Sequence, residues 1–191
     1  MRIPAIAPRA ANNYGERVAP DGVWYFAYGS NMQSATLRGR RGIVYRRAVA
    51  GELRGWRLVV DKPPLFGTSE SFANIVRDRS ASVWGVLFDI DDADLAHIDL
   101  TEGVLIGNYQ RIAVDVIAED GRAVGAHTLT SERRDASLRP STRYMELLIA
   151  GAVEHRLPAS YVEMLQSIEA TPPTAESLEF RAMMDSFMRR G

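Results

Sequence analysis

Apolar runs broken by short polar stretches fill the first two thirds of the chain, and the spacing of the apolar positions changes after Pro140. Val23-Trp24-Tyr25-Phe26-Ala27-Tyr28 is aromatic and β-prone, and it stops at Gly29, so it predicts a buried strand. Ser30 and Asn31 are helix N-cap types and predict a short helix over 32–37. Two further strands are expected over 43–50 and 52–61, broken at Gly51, with a loop over 62–72. A short strand over 73–76 and a clear one over 82–90 follow. Asp91 or Asp92 then caps a helix carrying Leu95, Ile98 and Asp99, with Gly103 near its end. Residues 109–118 alternate, with Ile112, Val114 and Val116 on one side, as a half-buried strand does. Glu119-Asp120-Gly121 gives a hairpin turn, and 123–130 returns.

Beyond Pro140 the period is helical. Ser141 caps a helix with a stripe of Tyr144, Leu147, Leu148 and Ala152, and Leu157-Pro158 interrupts it. A second helix carries Tyr161, Leu165 and Ile168. Pro172-Pro173 breaks the chain again before a last amphipathic helix over 175–189. Strands come first, antiparallel by connection length, and helices late, which is an α+β pattern. The expected organisation is a loose arm over 1–22, one domain over 23–170 and a helical tail over 171–191.

The 191 residues, 46% hydrophobic and 25% charged, suit one ordinary soluble domain. No apolar run reaches the ~18 residues of a membrane span. The N-terminal stretch has Pro and Arg where a signal peptide needs an apolar core. The chain has no cysteine, so disulfides, thiolate metal sites and a Cys nucleophile are excluded, and a cytoplasmic protein is expected. His97, His127 and His155 are far apart in sequence and form no metal-ligand motif, so no metal is expected. The net charge is −1, yet residues 1–60 hold ten Arg against three acidic residues. Arg38, Arg40, Arg41, Arg46 and Arg47 are either a solvated face or an anion-attracting patch. Lys62 is the only lysine, which reads as compositional bias.

Three features carry candidate chemistry. At Tyr28-Gly29-Ser30-Asn31 a strand turns into a helix start, and such a turn points unpaired N–H groups outward, where they can hold a carboxylate or an oxyanion. Ser30 lies outside any G-x-S-x-G elbow, so it is not a nucleophile. The second is Glu102, in Asp99-Leu100-Thr101-Glu102-Gly103, a helix-end carboxylate that is ordinarily solvent-facing. The third is Tyr25, Tyr28, Tyr109 and Tyr144, whose competing reading is core packing with a hydroxyl on a partner.

Together these features resemble a known family. The run from Tyr25 to Met32, YFAYGSNM, is similar to the YFAYGSN[LM] signature of the γ-glutamylcyclotransferase (AIG2-like) superfamily. Val83-Trp84-Gly85-Val86 resembles its VWGV-type strand, and Asp99-x-x-Glu102-Gly103 followed by Tyr109 its D-x-x-E-G…Y element. Pro140-Ser141 to Tyr144, Gly151-Ala152 and Leu157-Pro158-x-x-Tyr161 resemble its late elements. The match spans about residues 24–170.

The resemblance implies a small mixed, largely antiparallel β-barrel with flanking helices. It implies Glu102 as general acid/base, and Tyr25, Phe26, Ala27, Tyr28, Gly29, Ser30 and Asn31 as the substrate-binding loop, with Tyr109 and Tyr144 as pocket tyrosines. The substrate would be a γ-glutamyl compound whose α-amine closes on its own γ-carbonyl, releasing 5-oxoproline and an amine without any cofactor. Such a base should be a partly buried carboxylate. Neither nucleic acid nor membrane is implied as partner. Residues 62–72 and 131–139, with Arg133, Arg134 and Arg139, fall outside the matched elements and are candidates for shaping the leaving-amine side. The tail past Pro173 packs on the barrel or on another subunit, as in a homodimer. Rival readings are a non-catalytic binder of a γ-glutamyl-type molecule, and a nucleic-acid binder working through the arginine patch.

Overall fold

The computed structural model describes residues 22–66, 69–175, 177–179 and 182–183. Five strands, β1 (Val23–Ala27), β2 (Arg47–Lys62), β3 (Phe72–Ile90), β4 (Gln110–Ala118) and β5 (Ala123–Thr130), close into a barrel in the order β1-β3-β2-β4-β5. Three helices flank it: α1 (Asp92–Thr101), α2 (Thr142–Glu154) and α3 (Ala159–Gln166). The fold is thus the α+β barrel expected. The pairings are antiparallel except at the closure, where β1 meets β5 in parallel with Tyr25 opposite His127. The expected arm over 1–22 lies outside the described residues except for Gly22. Of the tail helix, residues 175, 177–179, 182 and 183 are described and helical.

Two expectations about the strands are corrected. Gly51 does not break the chain into separate strands, because β2 runs through it. Gly51 pairs with Gly85 of β3 and Ala118 of β4, and a Cβ there would stand 2.6 Å from the Val116 side chain. A side chain is missing at this position because the barrel wall is crowded, not because the chain turns. Likewise 73–76 and 82–90 belong to one strand, β3. Its polar middle survives as a bulge: the register jumps from Arg54↔Ser82 to Trp56↔Arg77, leaving extra residues that project outward and need no apolar pattern. The strand expected from residue 43 begins at Arg47, and the helix expected over 32–37 is two short turns, a 3₁₀ turn at Ser30–Met32 and a π turn at Thr36–Arg40.

The barrel is filled by Phe26, Leu53, Ile75, Val83, Leu87 and Val116, each at most 2% exposed, while Phe88, on the other face of β3, packs against Tyr45 and His155. Removing that apolar surface from water at ~25 cal/mol per Å² is the main force closing the barrel. α2 starts where predicted: the Ser141 hydroxyl accepts from the Tyr144 N–H at 3.3 Å. It packs on the 3₁₀ turn so closely that a Cβ on Gly151 would lie 2.7 Å from the Gln33 nitrogen and the Met32 side chain. This contact presses the turn after β1 against the barrel mouth.

Candidate active site

β1 ends at Ala27, and the chain turns over Tyr28, Gly29, Ser30 and Asn31 at the open end of the barrel. The Met32 and Gln33 N–H groups donate back to Gly29 and Ser30 carbonyls. The amides of Gly29 and Asn31 donate to no main-chain acceptor among the described residues, and the Ser30 amide lies against the Tyr144 hydroxyl. A three-residue 3₁₀ turn adds almost no helix dipole, so the donors here are individual amides rather than the end of a helix.

Glu102 enters from the opposite side as the C-cap of α1, its N–H on the Ile98 carbonyl at 2.9 Å. Gly103 follows with φ 71°, a conformation that costs glycine least, and it swings the chain toward β4. The Glu102 side chain is 15% exposed and faces the turn. Its Oε1 accepts from Asn31 Nδ2 at 3.0 Å and from Arg41 Nη2 at 2.6 Å. Arg41 also donates from Nη1 to the Thr101 carbonyl at 3.2 Å. The expected partly buried carboxylate is present, and a guanidinium that the sequence did not single out clamps it.

A cavity of about 390 Å³ separates the two sides. Tyr25, Tyr28, Gly29, Ser30, Asn31, Glu102, Tyr109 and Tyr144 all line it, so eight of the expected site residues converge. Phe26 and Ala27 do not line it: both are buried, and the Phe26 ring lies over Gly85 in the barrel core. Strand alternation is the reason for Phe26, which points to the opposite face from Tyr25, whereas Ala27 shares the Tyr25 face but ends in a buried methyl group that does not reach the cavity.

The tyrosine hydroxyls divide into two kinds. Tyr28 donates to the Leu129 carbonyl at 2.6 Å and Tyr109 to the Ala73 carbonyl at 2.9 Å, while Tyr144 accepts from the Ala73 N–H at 3.0 Å. Tyr28 ties the turn after β1 to β5, while Tyr109 and Tyr144 tie the start of β3 to the entry of β4 and to α2. Tyr25 accepts from Asn31 Nδ2 at 3.2 Å, and like Tyr144 it donates its own proton to no acceptor among the described residues. Burial first, and the nearby Glu102 charge second, push its hydroxyl well above the ordinary tyrosine range, so it remains a neutral donor.

The far wall holds residues that no motif marks. Lys62, at the end of β2, donates to Asn108 Oδ1 and sits 4.5 Å from the centre of the Tyr109 ring. Asn108 in turn donates from Nδ2 to the Glu102 carbonyl at 2.9 Å. The Glu70 carboxylate lines the cavity from behind, accepting from Ser141 at 2.9 Å and from Ser177. Pro64, Leu65, Phe66, Leu100 and Ile106 form an apolar mouth. Of the two segments outside the matched elements, Lys62, Pro64, Leu65, Phe66, Glu70 and Phe72 line the cavity, and Arg133 reaches Asn108 and the Pro64 carbonyl, each at 2.9 Å. Arg134 and Arg139 turn away to Asp61 and Glu169.

The arginine patch also has internal partners. Arg46 and Arg47 share Asp89, Arg38 stacks 4.1 Å over the Tyr45 ring, and Arg41 holds Glu102. No helix of the described residues is long and apolar enough to cross a membrane.

A barrel that brings a clamped carboxylate against a strand-end turn of free amides defines a class, and comparison with known proteins gives its name. The AIG2-like family model matches residues 82–165. A γ-glutamylcyclotransferase from Bos taurus is 32% identical over 149 residues, covering 76% of this chain and 78% of that protein. One from Homo sapiens is 29% identical over 164 residues, covering 81% and 83%. A solved γ-glutamyl cyclotransferase structure superposes with a TM-score of 0.74 at 24% identity, covering 89% of this chain and 99% of that one. The chain belongs to the γ-glutamylcyclotransferase family.

Proposed function

We propose that the protein is a γ-glutamylcyclotransferase that cyclises a γ-glutamyl amide to 5-oxoproline and a free amine, with Glu102 as the proton carrier. The observation that carries this reading is the position of the Glu102 carboxylate across a cavity from the free amides of Gly29 and Asn31, and its hydrogen bond to Asn31.

The α-amine of such a substrate is mostly ammonium at neutral pH and cannot attack. Glu102 takes one proton from it. The amine nitrogen then bonds to the γ-carbonyl carbon of the same molecule, and the oxygen gains negative charge. The turn amides and the Tyr25 O–H are the donors available to that oxygen. When the ring collapses back to a carbonyl, the bond to the leaving nitrogen breaks, and Glu102 returns its proton to that nitrogen. The ring nitrogen sheds its second proton to solvent as the lactam forms and the released amine takes one up from solvent, so the protons balance without a nucleophile from the protein. Closure is intramolecular, so holding the curled conformer supplies several kcal/mol of the barrier, up to about 7–11 in favourable systems. Tyr28 and Tyr109 donate their hydroxyls to main-chain carbonyls and Tyr144 is held by the Ala73 N–H, so the three form a rigid, water-excluding wall, with the Tyr144 proton a further donor on the cavity side.

Incubation with a panel of γ-glutamyl amino acids and γ-glutamylamines, scored for 5-oxoproline by mass, tests the proposal. Product from at least one compound is expected. Binding without product from any of them would make the protein a sensor rather than an enzyme.

A further inference from the structure

We infer that Lys62 is the carboxylate-holding cation of this cavity: its ammonium, set between Asn108 and the Tyr109 ring with no anion among the described residues paired to it, fixes a carboxylate of the substrate. The inference rests on the γ-glutamyl reading above and adds to it the residue that anchors the far end of the ligand.

Lys62 is only 2% exposed, yet it lines the cavity. Its polar partner is the Asn108 amide oxygen, and that one neutral oxygen serves two cations, because Arg133 Nη1 donates to it as well. The other arm of the Arg133 fork goes to the Pro64 carbonyl, again uncharged. Among the described residues neither cation forms an ion pair. Several cations of the chain do pair, Arg41 with Glu102, Arg46 and Arg47 with Asp89, Arg111 with Asp99, and Arg134 with Asp61, while others without an ion pair, such as Arg38 and Arg77, are exposed to water rather than buried. Glu102 is close enough for its charge to act on Lys62 but is engaged by Arg41 and Asn31. A charge withdrawn from water without a counter-charge is costly, so natural sites keep one only where something binds to it. Burial, followed by repulsion from Arg133, pushes the ammonium down to about 8, so it is still mostly charged at neutral pH. A bound anion would relieve both effects. A γ-glutamyl amide offers two carboxylates, the α-carboxylate of its own glutamyl part and, when the leaving amine is an amino acid, a second on that side. The chemistry is the same for both, and substrates lacking one or the other tell them apart.

The test compares wild type, Lys62→Met and Lys62→Arg on γ-glutamylalanine, γ-glutamylethylamide (no leaving-side carboxylate) and the α-carboxamide analogue of γ-glutamylalanine (no glutamyl carboxylate). A charge-assisted hydrogen bond to a carboxylate is worth roughly a 10- to 100-fold change in KM. Lys62→Met should raise KM by that factor for compounds carrying the anchored carboxylate, leave KM unchanged for the compound lacking it, and move kcat less. Lys62→Arg should restore most of the affinity. Sensitivity lost for the ethylamide assigns the leaving-side carboxylate, and sensitivity lost for the α-carboxamide assigns the glutamyl one. KM within twofold of wild type for all three compounds overturns the inference while leaving the γ-glutamyl reading intact. The variant should fold, because Arg133 still satisfies Asn108 and an unpaired charge is removed; its melting temperature checks this. If wild type turns over none of the compounds, the γ-glutamyl reading fails. Calorimetric titration with 5-oxoproline and its carboxamide then decides the role of Lys62. Preference for the acid in wild type, lost in Lys62→Met, upholds it, and equal binding of both overturns it.

Discussion

The pairing of Arg41 with Glu102 can be weighed by a double-mutant cycle. Arg41→Met keeps the length and apolar bulk of the side chain but removes the 2.6 Å contact to Glu102 Oε1 and the 3.2 Å bond to the Thr101 carbonyl. Glu102→Gln keeps an acceptor for Arg41 and Asn31 but removes the charge. The two side chains are 17% and 15% exposed, between the surface and buried regimes. Exposed pairs contribute up to about 1 kcal/mol, whereas breaking a fully buried one costs ~3–5 kcal/mol. Each single variant is therefore expected to lose about 1–3 kcal/mol, and the double variant less than the sum, with a coupling of about 1–2 kcal/mol. For a domain of this size a single variant should melt roughly 2–12 °C lower. Urea unfolding followed by the fluorescence of Trp24, Trp56 and Trp84, all on barrel strands, measures each corner of the cycle. The coupling should survive about 0.5 M salt, because screening acts mainly on exposed charges. Arg41→Met should also lower kcat about tenfold or more, since the carboxylate loses one of its two fixed contacts. A coupling below about 0.3 kcal/mol would refute the clamp.

Lys62 predicts a pH dependence of stability. Its folded value of about 8 lies below the ordinary lysine value of 10.5. Below about pH 8 both states carry the proton and folding bears the full cost of burying it. Between about 8 and 10.5 the unfolded chain binds more protons, so stability rises with pH. Facing Lys62 are the Arg133 guanidinium, Tyr109, whose hydroxyl burial pushes up, and Glu102. Urea midpoints at about pH 7.5 and about pH 10 should therefore show wild type gaining on Lys62→Met, and a constant gap contradicts the assignment. The tyrosines predict a contrast: Tyr144→Phe leaves the buried Ala73 N–H without its acceptor and should cost about 1–3 kcal/mol. Tyr25→Phe should change stability little and lower kcat, and the opposite pattern would exchange the two roles.

Much of the site is legible in the sequence because the family motifs place chemistry at strand and helix ends. The end of α1 is turned by Gly103, and the octapeptide and the D-x-x-E-G element mark the turn after β1 and that helix end. A contiguous motif, however, merges the two faces of a strand, which is why it groups Phe26 with Tyr25 although its ring belongs to the core, and it cannot show that the short Ala27 side chain stops below the cavity. Arg41 cannot be picked from five neighbouring arginines, because its inward course depends on a π turn that no spacing rule signals. Lys62 is visible as the one lysine of the chain, but its meaning rests on Asn108 and Arg133, brought near it only when the barrel closes. The strands β4 and β5 and the helices follow from periodicity. The continuity of β2 and β3 does not, since Gly51 and the polar stretch around Asp78 look like turns until their neighbours across the sheet are known.

Whether the carboxylate at the end of α1 moves the proton is decided by a single-turnover comparison of wild type and Glu102→Gln on the best γ-glutamyl compound. Ring closure is followed by mass, and ligand affinity is measured separately. The expected result is a chemical step slowed about 10²–10⁴-fold in a protein that still binds the compound. A variant that forms 5-oxoproline at nearly the wild-type rate would place the base elsewhere.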